Sequence, residues 1–265
     1  LTQEMCVEEN YRLDANGIAD RVEEITPESL YAYYERAFAE DELDLYVIGD
    51  IEEEHAMDVV NRYFQFGERK PESVSYINHQ VQEAKELQEI QDIKQGKLNI
   101  GYRTNITYKD PDYFALQMFN GIFGAFSHSK LFINVREKAS LAYYAASRLE
   151  SHKGLLMVMS GIDNKNYEQA VTIIKEQMEA MKRGDFTEQE IVQTKAIIKN
   201  QLLETIDTSR GLTEVLYHNV VADQDITLDE WLRRVDEVTR EDIIACGEKI
   251  VLDTIYFLHG MEVAE

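Results

Sequence analysis

The sequence predicts an α+β fold, in which an antiparallel sheet carries helices packed on one side. Strand-like and helix-like segments are interleaved along the chain, and only a tight turn at residues 151–154 separates two of the strand-like segments. Strands joined by such a short turn pair antiparallel. Near each end of the chain, a threonine-capped helical pattern also leads into an apolar strand that ends at glycine. Together these features favour an antiparallel sheet covered by helices.

The two threonine-to-glycine segments are interpreted as equivalent ends of two related units. The first runs from Thr26 to Gly49, a separation of 23 residues (49 − 26), and the second from Thr239 to Gly260, a separation of 21 (260 − 239). A long stretch of chain precedes Thr239, but only 25 residues precede Thr26. The first unit is therefore predicted to be truncated, and the chemistry of its front part is expected to lie outside this sequence.

In the first unit, Thr26 is a good helix N-cap, and Pro27 follows it at the first helical position. The helix is expected to end near Phe38. Residues 43–48 are mostly apolar, and they are predicted to form a short buried strand. A further helix is predicted through residues 57–64, where apolar side chains recur at helical spacing.

Residues 68–95 are the best linker candidate, because they are rich in Glu, Gln and Lys. The later part of this segment fits a helix and an extended strand pair equally well, and both interpretations stay open. The predicted domain organisation is therefore the C-terminal part of a first lobe at 1–67, an interlobe linker at 68–95 and a complete second lobe at 96–265.

The second lobe contains the clearest pattern of strands and helices. Its predicted helix starts include two capping boxes, Thr187 with Glu190 and Thr227 with Glu230, and a final cap at Thr239. The predicted strands are residues 98–104, 141–148, 155–162 and 255–260. The predicted helices are residues 113–123, 127–138, 167–182 and 187–206, with two more that begin at Thr227 and Thr239.

Composition narrows the range of partners. The 265-residue chain has 50 acidic and 27 basic residues and a net charge of −23, which argues against nucleic acid and against an anionic membrane surface. A basic peptide is permitted as a ligand. Cys6 and Cys246 are too few and too distant to form a disulfide framework, so a reducing, cytoplasmic environment is expected.

Searches for common catalytic motifs find none. The six histidines are at least 20 residues apart, so no H-x-x-E-H or H-x-x-x-H pair can place two zinc ligands on one helix face. The sequence also lacks the G-x-S-x-G nucleophile elbow and the glycine-rich nucleotide loops. No metal ligand is therefore assigned in this chain.

One segment of the sequence matches the specific pattern of a known protein family. Residues 121–144 read GIFGAFSHSKLFINVREKASLAYY, which resembles a pattern of the insulinase/pitrilysin family of zinc peptidases, to which the mitochondrial processing peptidase belongs. That pattern is roughly G-G-x-x-S-R-L-F-x-x-V-R-E-K-x-G-L-A-Y. Three further short matches lie elsewhere in the sequence: Gly49-Asp50, Asp110-Pro111-Asp112 and Gly184-x-x-Thr187-x-x-Glu190. The resemblance therefore extends over essentially the whole chain.

The resemblance implies a processing-peptidase-like lobe and the tail half of a second, homologous lobe. In that family two α+β lobes enclose a chamber, one lobe binds zinc, and the facing lobe offers an Arg and a Tyr seven residues apart. Arg136 and Tyr143 have this separation (143 − 136). By resemblance, Arg136 binds substrate carbonyls through its fork of donors, and Tyr143 is the catalytic residue that polarises the attacked carbonyl. Spacing alone would favour an exposed helix Arg and a packed strand Tyr.

Three residues depart from the family pattern. Ala125 replaces the second glycine, Lys130 replaces the arginine before Leu-Phe, and Ser140 replaces the glycine before Leu-Ala-Tyr. The last departure bears on the turn geometry, because glycine often serves conformations with positive φ.

Two functional hypotheses follow from the resemblance. In the first, the chain is part of a zinc metallopeptidase whose second lobe contributes Arg136 and Tyr143. In the second, it is a non-catalytic subunit that pairs with a zinc-bearing homologue or forms a homodimer. Zinc is expected only in the missing part or in a partner, so the chain alone is predicted to be inactive. A third interpretation is a structural lobe in which both residues are idle. The expected partner is a peptide or protein substrate, held in a large acidic-walled concavity.

Overall fold

A computed structural model describes residues 1–71 and 78–261. Contacts divide the chain into two compact units, one made of Leu1–Arg12 with Asn78–Glu265 and the other of Leu13–Ile77. The larger unit contains one sheet and most of the helices. None of the described helices is both long enough and apolar enough to cross a lipid bilayer.

The larger unit is an α+β lobe, as the sequence predicts. Its strands are β1 Lys85–Ile90, β2 Gly96–Arg103, β3 Ala142–Glu150, β4 Leu155–Ile162 and β5 Val251–His259. Its α-helices are α1 Thr2–Met5, α5 Tyr113–Asn120, α6 Tyr167–Lys182, α7 Glu188–Ile206, α8 Ser209–Val221, α9 Leu228–Glu237 and α10 Arg240–Glu248. The numbers α2 to α4 belong to the smaller unit.

The five strands form one sheet in the order β1-β5-β2-β4-β3. Three neighbouring pairs are antiparallel, including the β3–β4 hairpin predicted from the tight turn, and β1 pairs with β5 in parallel. β1 lies within the segment predicted as a linker, for which helix and extended structure were both open. Its place beside β5 shows that this stretch is extended.

One face of the sheet packs against the helices and forms the main core. Alternate side chains of β2 and β4 enter this core, as expected for strands with one covered face. The largest fully buried side chains come from β2, β4, α5, α6 and the segment after α5: Leu98, Ile100, Leu116, Met118, Phe119, Ile122, Phe123, Leu131, Leu155, Leu156, Ile162 and Ile174.

The N-terminal segment covers part of the opposite face of the sheet. Met5 and Cys6 form a small buried cluster with Leu155 and Met157 of β4. The contact is close, since a Cβ on Gly101 of β2 would lie 2.1 Å from Met5 Sδ. Glycine at this position therefore allows α1 to lie directly on the strand.

Buried charges fix the N-terminal segment to this face. Arg103, whose side chain is 3% exposed, donates from Nη1 to Glu9 Oε1 and from Nε to Asp253 Oδ2, both at 3.1 Å. Lys153 forms a further salt bridge with the other oxygen of Glu9. Two acidic and two basic groups thus meet in one cluster, Glu9, Arg103, Lys153 and Asp253, whose charges balance. Leaving any of these groups unpaired would be costly at this burial.

The smaller unit contains α2 Ala19–Glu23, α3 Pro27–Glu40 and α4 Glu53–Tyr63. The predicted cap at Thr26 is confirmed, because its side chain accepts a hydrogen bond from the backbone N–H of Ser29. Among residues 13–71, the described part of this unit, none is buried.

The predicted strand at residues 43–48 is wrong. This segment is described throughout and has no strand assignment, and its large apolar residues, Leu43, Leu45, Val47 and Ile48, are all exposed. A strand needs a neighbour to satisfy its backbone groups. No described strand pairs with this segment, so its apolar sequence is not sufficient to form one.

The helix caps of the larger unit were largely predictable. Thr187 and Thr239 each form a complete capping box. Thr227 caps α9 through the backbone N–H of Glu230, but the Glu230 carboxylate binds Arg233 and Arg234 instead of returning to the cap. This predicted box is therefore only half formed, and α8 was not predicted at all.

Candidate functional site

The segment that carries the family resemblance folds into two π-helical stretches that lead towards β3. α5 continues into a π-helix over Gly121–Ala125, the chain turns through residues 126–129, and a second π-helix covers Phe132–Lys138. The predicted helix over residues 127–138 is thus confirmed only in its later part. π-Helical turns are rare and occur frequently at functional sites.

The first π-helix lies directly against β3. A Cβ on Gly124 would lie 2.4 Å from Ser147 Oγ, so only glycine permits this approach. Ser147 Oγ also donates a 2.6 Å hydrogen bond to Asn120 Oδ1 at the end of α5. These contacts hold the end of α5 and the first π-helix against β3.

Three polar contacts hold the turn between the two π-helices. His128 Nε2 lies 2.8 Å from Thr194 Oγ1 on α7, and Ser129 Oγ accepts from the first backbone N–H of the second π-helix at 3.3 Å. Burial lowers the pKa of His128, and this effect outweighs the negative charge of Glu190, which would raise the pKa. Lys130, which departs from the family arginine, still forms an ion pair, with its Nζ 3.8 Å from Glu190 Oε1.

Arg136 lies in the last turn of the second π-helix with its side chain 41% exposed. Its guanidinium carbon is 4.6 Å from the centroid of the Phe132 ring, a distance that favours a cation–π contact. The salt bridge to Glu137 is long at 3.8 Å and exposed, so it contributes little to stability. Within the described residues, the guanidinium makes no hydrogen bond that would occupy its donors.

The turn between the π-helix and β3 depends on Ser140. This residue has φ of +52°, in the left-handed region that normally favours glycine. Serine at this position therefore adopts a positive φ, although this places its side chain in a disfavoured backbone conformation. Ser140 Oγ donates to the Glu137 carbonyl at 3.3 Å, and Leu141 N donates to the Val135 carbonyl at 3.2 Å.

Tyr143 lies at an irregularity of β3. Ala142 pairs with Ile162 and Tyr144 with Gly161, so Tyr143 is the extra residue of a β-bulge. Bulges change the direction of a side chain, and the Tyr143 residue is 68% exposed. The interpretation of Tyr143 as a packed strand residue is therefore wrong.

Arg136 and Tyr143 line the same open cleft, which has a volume of about 540 Å³. Ser140, Leu141 and Ala142 lie between them in sequence and also line it, and the remaining lining residues are Glu137 and Asp163. The structure therefore brings the two sequence-predicted residues to one surface and adds two carboxylates that the sequence analysis did not single out. Glu137 lies inside the motif, whereas nothing in the sequence around Asp163 marks it.

Among the residues that the structure describes, neither a metal cluster nor a reactive thiol accompanies this cleft. In the described ranges 1–71 and 78–261, no three His, Cys, Asp or Glu side chains are grouped so that they could hold a metal ion. Burial raises the pKa of Cys6 to about 11 and that of Cys246 to about 12. Both thiols are therefore protonated at neutral pH and are poor nucleophiles.

The chain is similar in sequence to two proteins of Bacillus subtilis. The chain is 58% identical over 264 residues to the probable inactive metalloprotease YmfF of Bacillus subtilis (strain 168), and the match covers 99% of the chain and 62% of that protein. It is 23% identical over 230 residues, 86% of the chain and 56% of the relative, to the uncharacterized zinc protease YmxG of the same organism. The chain thus spans about three fifths of the length of these relatives.

A solved structure of a conserved protein from Enterococcus faecalis V583 superposes with a TM-score of 0.91 at 36% identity, over 100% of the chain and 63% of that protein. The Peptidase M16 inactive domain family matches residues 24–198, or 175 of 265 residues (198 − 24 + 1). The resemblance to insulinase/pitrilysin-type peptidases is confirmed, and the chain belongs to the Peptidase M16 inactive domain family.

Proposed function

We propose that this chain is a non-catalytic, peptide-binding part of a peptidase M16-type protein, and that it binds an extended peptide in the cleft lined by Arg136 and Tyr143. The observation that carries the proposal is that both side chains are exposed and line one cleft. In this proposal residues 96–265 are the body of the second lobe, residues 68–95 join the lobes and also supply β1 to its sheet, and residues 1–67 end the first lobe, of which residues 1–12 cluster with the larger unit.

Arg136 is suited to bind peptide carbonyls. A guanidinium presents several donors in a rigid plane, so it can contact two neighbouring acceptors at once. The Phe132 ring lies against this group and limits its motion, which reduces the entropy lost on binding. Arg136 is therefore assigned the role of gripping the peptide backbone.

The adjacent strand offers a second means of binding. β3 is at one end of the strand order, and no described strand lies beyond it. The exposed edge of a sheet can accept an extended peptide as an additional strand. Because Tyr143 lies at the start of this edge, a peptide added to β3 would pass the cleft. The rim carboxylates Glu137 and Asp163, together with the net charge of −23, favour a basic peptide.

A second role concerns catalysis in an assembly. One relative of the chain is named as an inactive metalloprotease and another as a zinc protease, both from Bacillus subtilis (strain 168). This favours an unequal pair in which the zinc is supplied by a homologous partner. In such a pair the Tyr143 hydroxyl would donate to the carbonyl oxygen that becomes negative when water attacks, a contribution of about 10²–10³ in rate.

The test is a binding titration with the full-length protein. The probe is a fluorescein-labelled, unstructured basic peptide of about 15 residues, which spans about 50 Å when extended. Arg136→Ala should weaken binding about tenfold, the loss expected for a charge-assisted hydrogen bond. Arg183→Ala is the matched control, because Arg183 is also an exposed arginine but lies at the end of α6, outside both the cleft and β3.

The two proposed roles make different predictions for Tyr143→Phe. This change should leave peptide affinity within about threefold, because only one neutral hydrogen bond is removed. In an active assembly with a zinc-bearing homologue, it should lower turnover about 10²-fold. If Arg136→Ala bound the peptide as tightly as the parent protein, the proposed role of Arg136 in peptide binding would be wrong. If Tyr143→Phe left the turnover of the assembly unchanged, the proposed catalytic role of Tyr143 would be wrong.

A further inference from the structure

Two histidines that are distant in sequence meet on the surface of the larger unit. His152 lies in the turn between β3 and β4, and His218 lies on α8. The Nε2 atom of His152 and the Nδ1 atom of His218 are 2.7 Å apart. No two histidines lie at metal-ligand spacing in the sequence, so the fold alone creates this pair. Neither residue lines the Arg136 and Tyr143 cleft.

The two rings are arranged end to end. Their centroids are 5.0 Å apart and their planes differ by 19°. This centroid separation is close to the sum of the N–N distance and the two ring radii, so the rings share nearly one plane and do not overlap. The two nitrogens therefore point at each other, and their lone-pair directions converge on the space between the rings.

Tyr108 supports this pair from one side. Its ring is nearly parallel to both imidazoles, at 28° to His152 and 18° to His218, with centroid distances of 5.7 and 5.6 Å. The Tyr108 hydroxyl donates to Asn219 Oδ1 at 3.1 Å, and Asn219 Nδ2 donates to the Ile226 carbonyl at 2.9 Å. Tyr108 and Asn219 are buried, so the platform is fixed, whereas His218 is exposed.

We propose that His152 and His218 form a binding site for a divalent transition-metal ion, such as Cu²⁺, Ni²⁺ or Zn²⁺. Imidazole nitrogen is a preferred ligand of these ions. At a metal–nitrogen distance of about 2.05 Å and a tetrahedral angle, two ligand nitrogens are about 3.3 Å apart. The pair must therefore open by about 0.6 Å from its present separation of 2.7 Å, and each ring must turn by about 35° so that both lone pairs meet at the metal ion.

Besides this movement of the rings, metal binding needs a change of tautomer. At present one of the two facing nitrogens carries the hydrogen that the other accepts. When a metal ion enters, both facing nitrogens donate their lone pairs to it, and that hydrogen moves to the outer nitrogen of the same ring through solvent. Both imidazoles stay neutral, so no net proton is released. The position of His152 in a surface turn allows the small opening.

A carboxylate is available as a third ligand. Glu214 precedes His218 by one helical turn, which places both side chains on the same face of α8. Its side chain is 59% exposed and is now paired with Arg210 Nε at 3.2 Å. In the described ranges, no group of three such side chains is already assembled. Glu214 must therefore leave Arg210 to complete a site of two histidines and one carboxylate, with water in the remaining positions.

The site is tested by calorimetric titration of the full-length, untagged protein with Cu²⁺ and with Zn²⁺ after removal of bound metal by a chelator. We expect one ion per chain, and a loss of affinity of about tenfold or more in both His152→Ala and His218→Ala. Glu214→Gln should weaken binding by a smaller factor, and Arg210→Ala should strengthen it by releasing Glu214.

His55→Ala is the matched control, because His55 is an exposed helical histidine outside the site. Each variant is melted without metal to show that it folds. Nitrogen hyperfine structure from two imidazoles in the Cu²⁺ spectrum would support the site independently. Titrations that give no stoichiometric binding, or binding that survives in His152→Ala and His218→Ala, would overturn it.

Discussion

Arg136 at the end of a π-helix and Tyr143 at a β-bulge line one cleft, and the left-handed turn at Ser140 connects them. None of these three features is regular secondary structure. The pair is therefore positioned by local irregularities, each held by neighbouring contacts, and not by the spacing of one helix or strand. Changes at the turn should consequently affect the cleft more than changes within the helices.

The Ser140 turn gives a prediction about stability. Ser140→Gly should raise the free energy of unfolding by about 0.5–1 kcal/mol, because glycine adopts positive φ without strain. Ser140→Val should lower it by about 1–2 kcal/mol, because a branched side chain is strongly disfavoured there. Urea denaturation followed by the fluorescence of Trp231, the only tryptophan, reports on the larger unit. Equal stability of the two variants would show that the turn is not strained.

The buried charge cluster predicts a larger effect. Arg103→Leu leaves Glu9 and Asp253 without their shared partner, so we expect a loss of about 3–5 kcal/mol in the free energy of unfolding. Arg148→Leu is the control, since that arginine is 59% exposed and should matter by less than about 1 kcal/mol. If the two variants were equally stable, the cluster would not hold the N-terminal segment in place.

The same cluster predicts a dependence on pH. Burial raises the pKa of Glu9, but hydrogen bonds from Lys153 and Arg103 outweigh it, and the pKa lies below its ordinary value. The folded state therefore binds fewer protons at this site than the unfolded state. The stability that Glu9 contributes is fully present above the pKa of Glu9 in the unfolded state. It is lost as the pH falls from that pKa to the lower pKa of Glu9 in the folded state.

Comparison with Glu9→Gln isolates this contribution from those of the other carboxylates. The variant should be less stable than the parent at pH 7, and the difference between their urea midpoints should shrink as the solution is acidified towards pH 4. A difference that stays constant over this range would contradict the assigned hydrogen bonds.

The absence of a zinc motif in this sequence predicts that the purified 265-residue chain cleaves no peptide, with or without added Zn²⁺. A quenched fluorogenic peptide is the suitable substrate, and elemental analysis should accompany the assay. Cleavage that a chelator abolishes would contradict this prediction. Because His152 and His218 are proposed to bind metal at the surface, away from the cleft, bound zinc without cleavage is compatible with this prediction.

The elements that sequence predicts well are those specified locally. The Thr187 capping box and the β3–β4 hairpin depend on residues close in the chain, and both lie at the expected positions. The strand at residues 43–48 failed because pairing requires a distant partner. The parallel β1–β5 pair and the contact of His152 with His218 also arise from tertiary structure.

The candidate site also combines features that the local sequence indicates with features that arise only from tertiary structure. The resemblance pointed to Arg136 and Tyr143, but their exposure depends on a π-helix and a bulge that residue periodicity does not reveal. Asp163 joins the cleft only because β4 ends beside β3.

Hydrogen–deuterium exchange of the full-length protein with and without the basic peptide tests the central claim most directly. A peptide bound at the cleft and along β3 should slow exchange in residues 132–150, and Arg136→Ala should remove this protection while Arg183→Ala keeps it. Protection confined to other segments, or protection at residues 132–150 that Arg136→Ala leaves unchanged, would contradict the account.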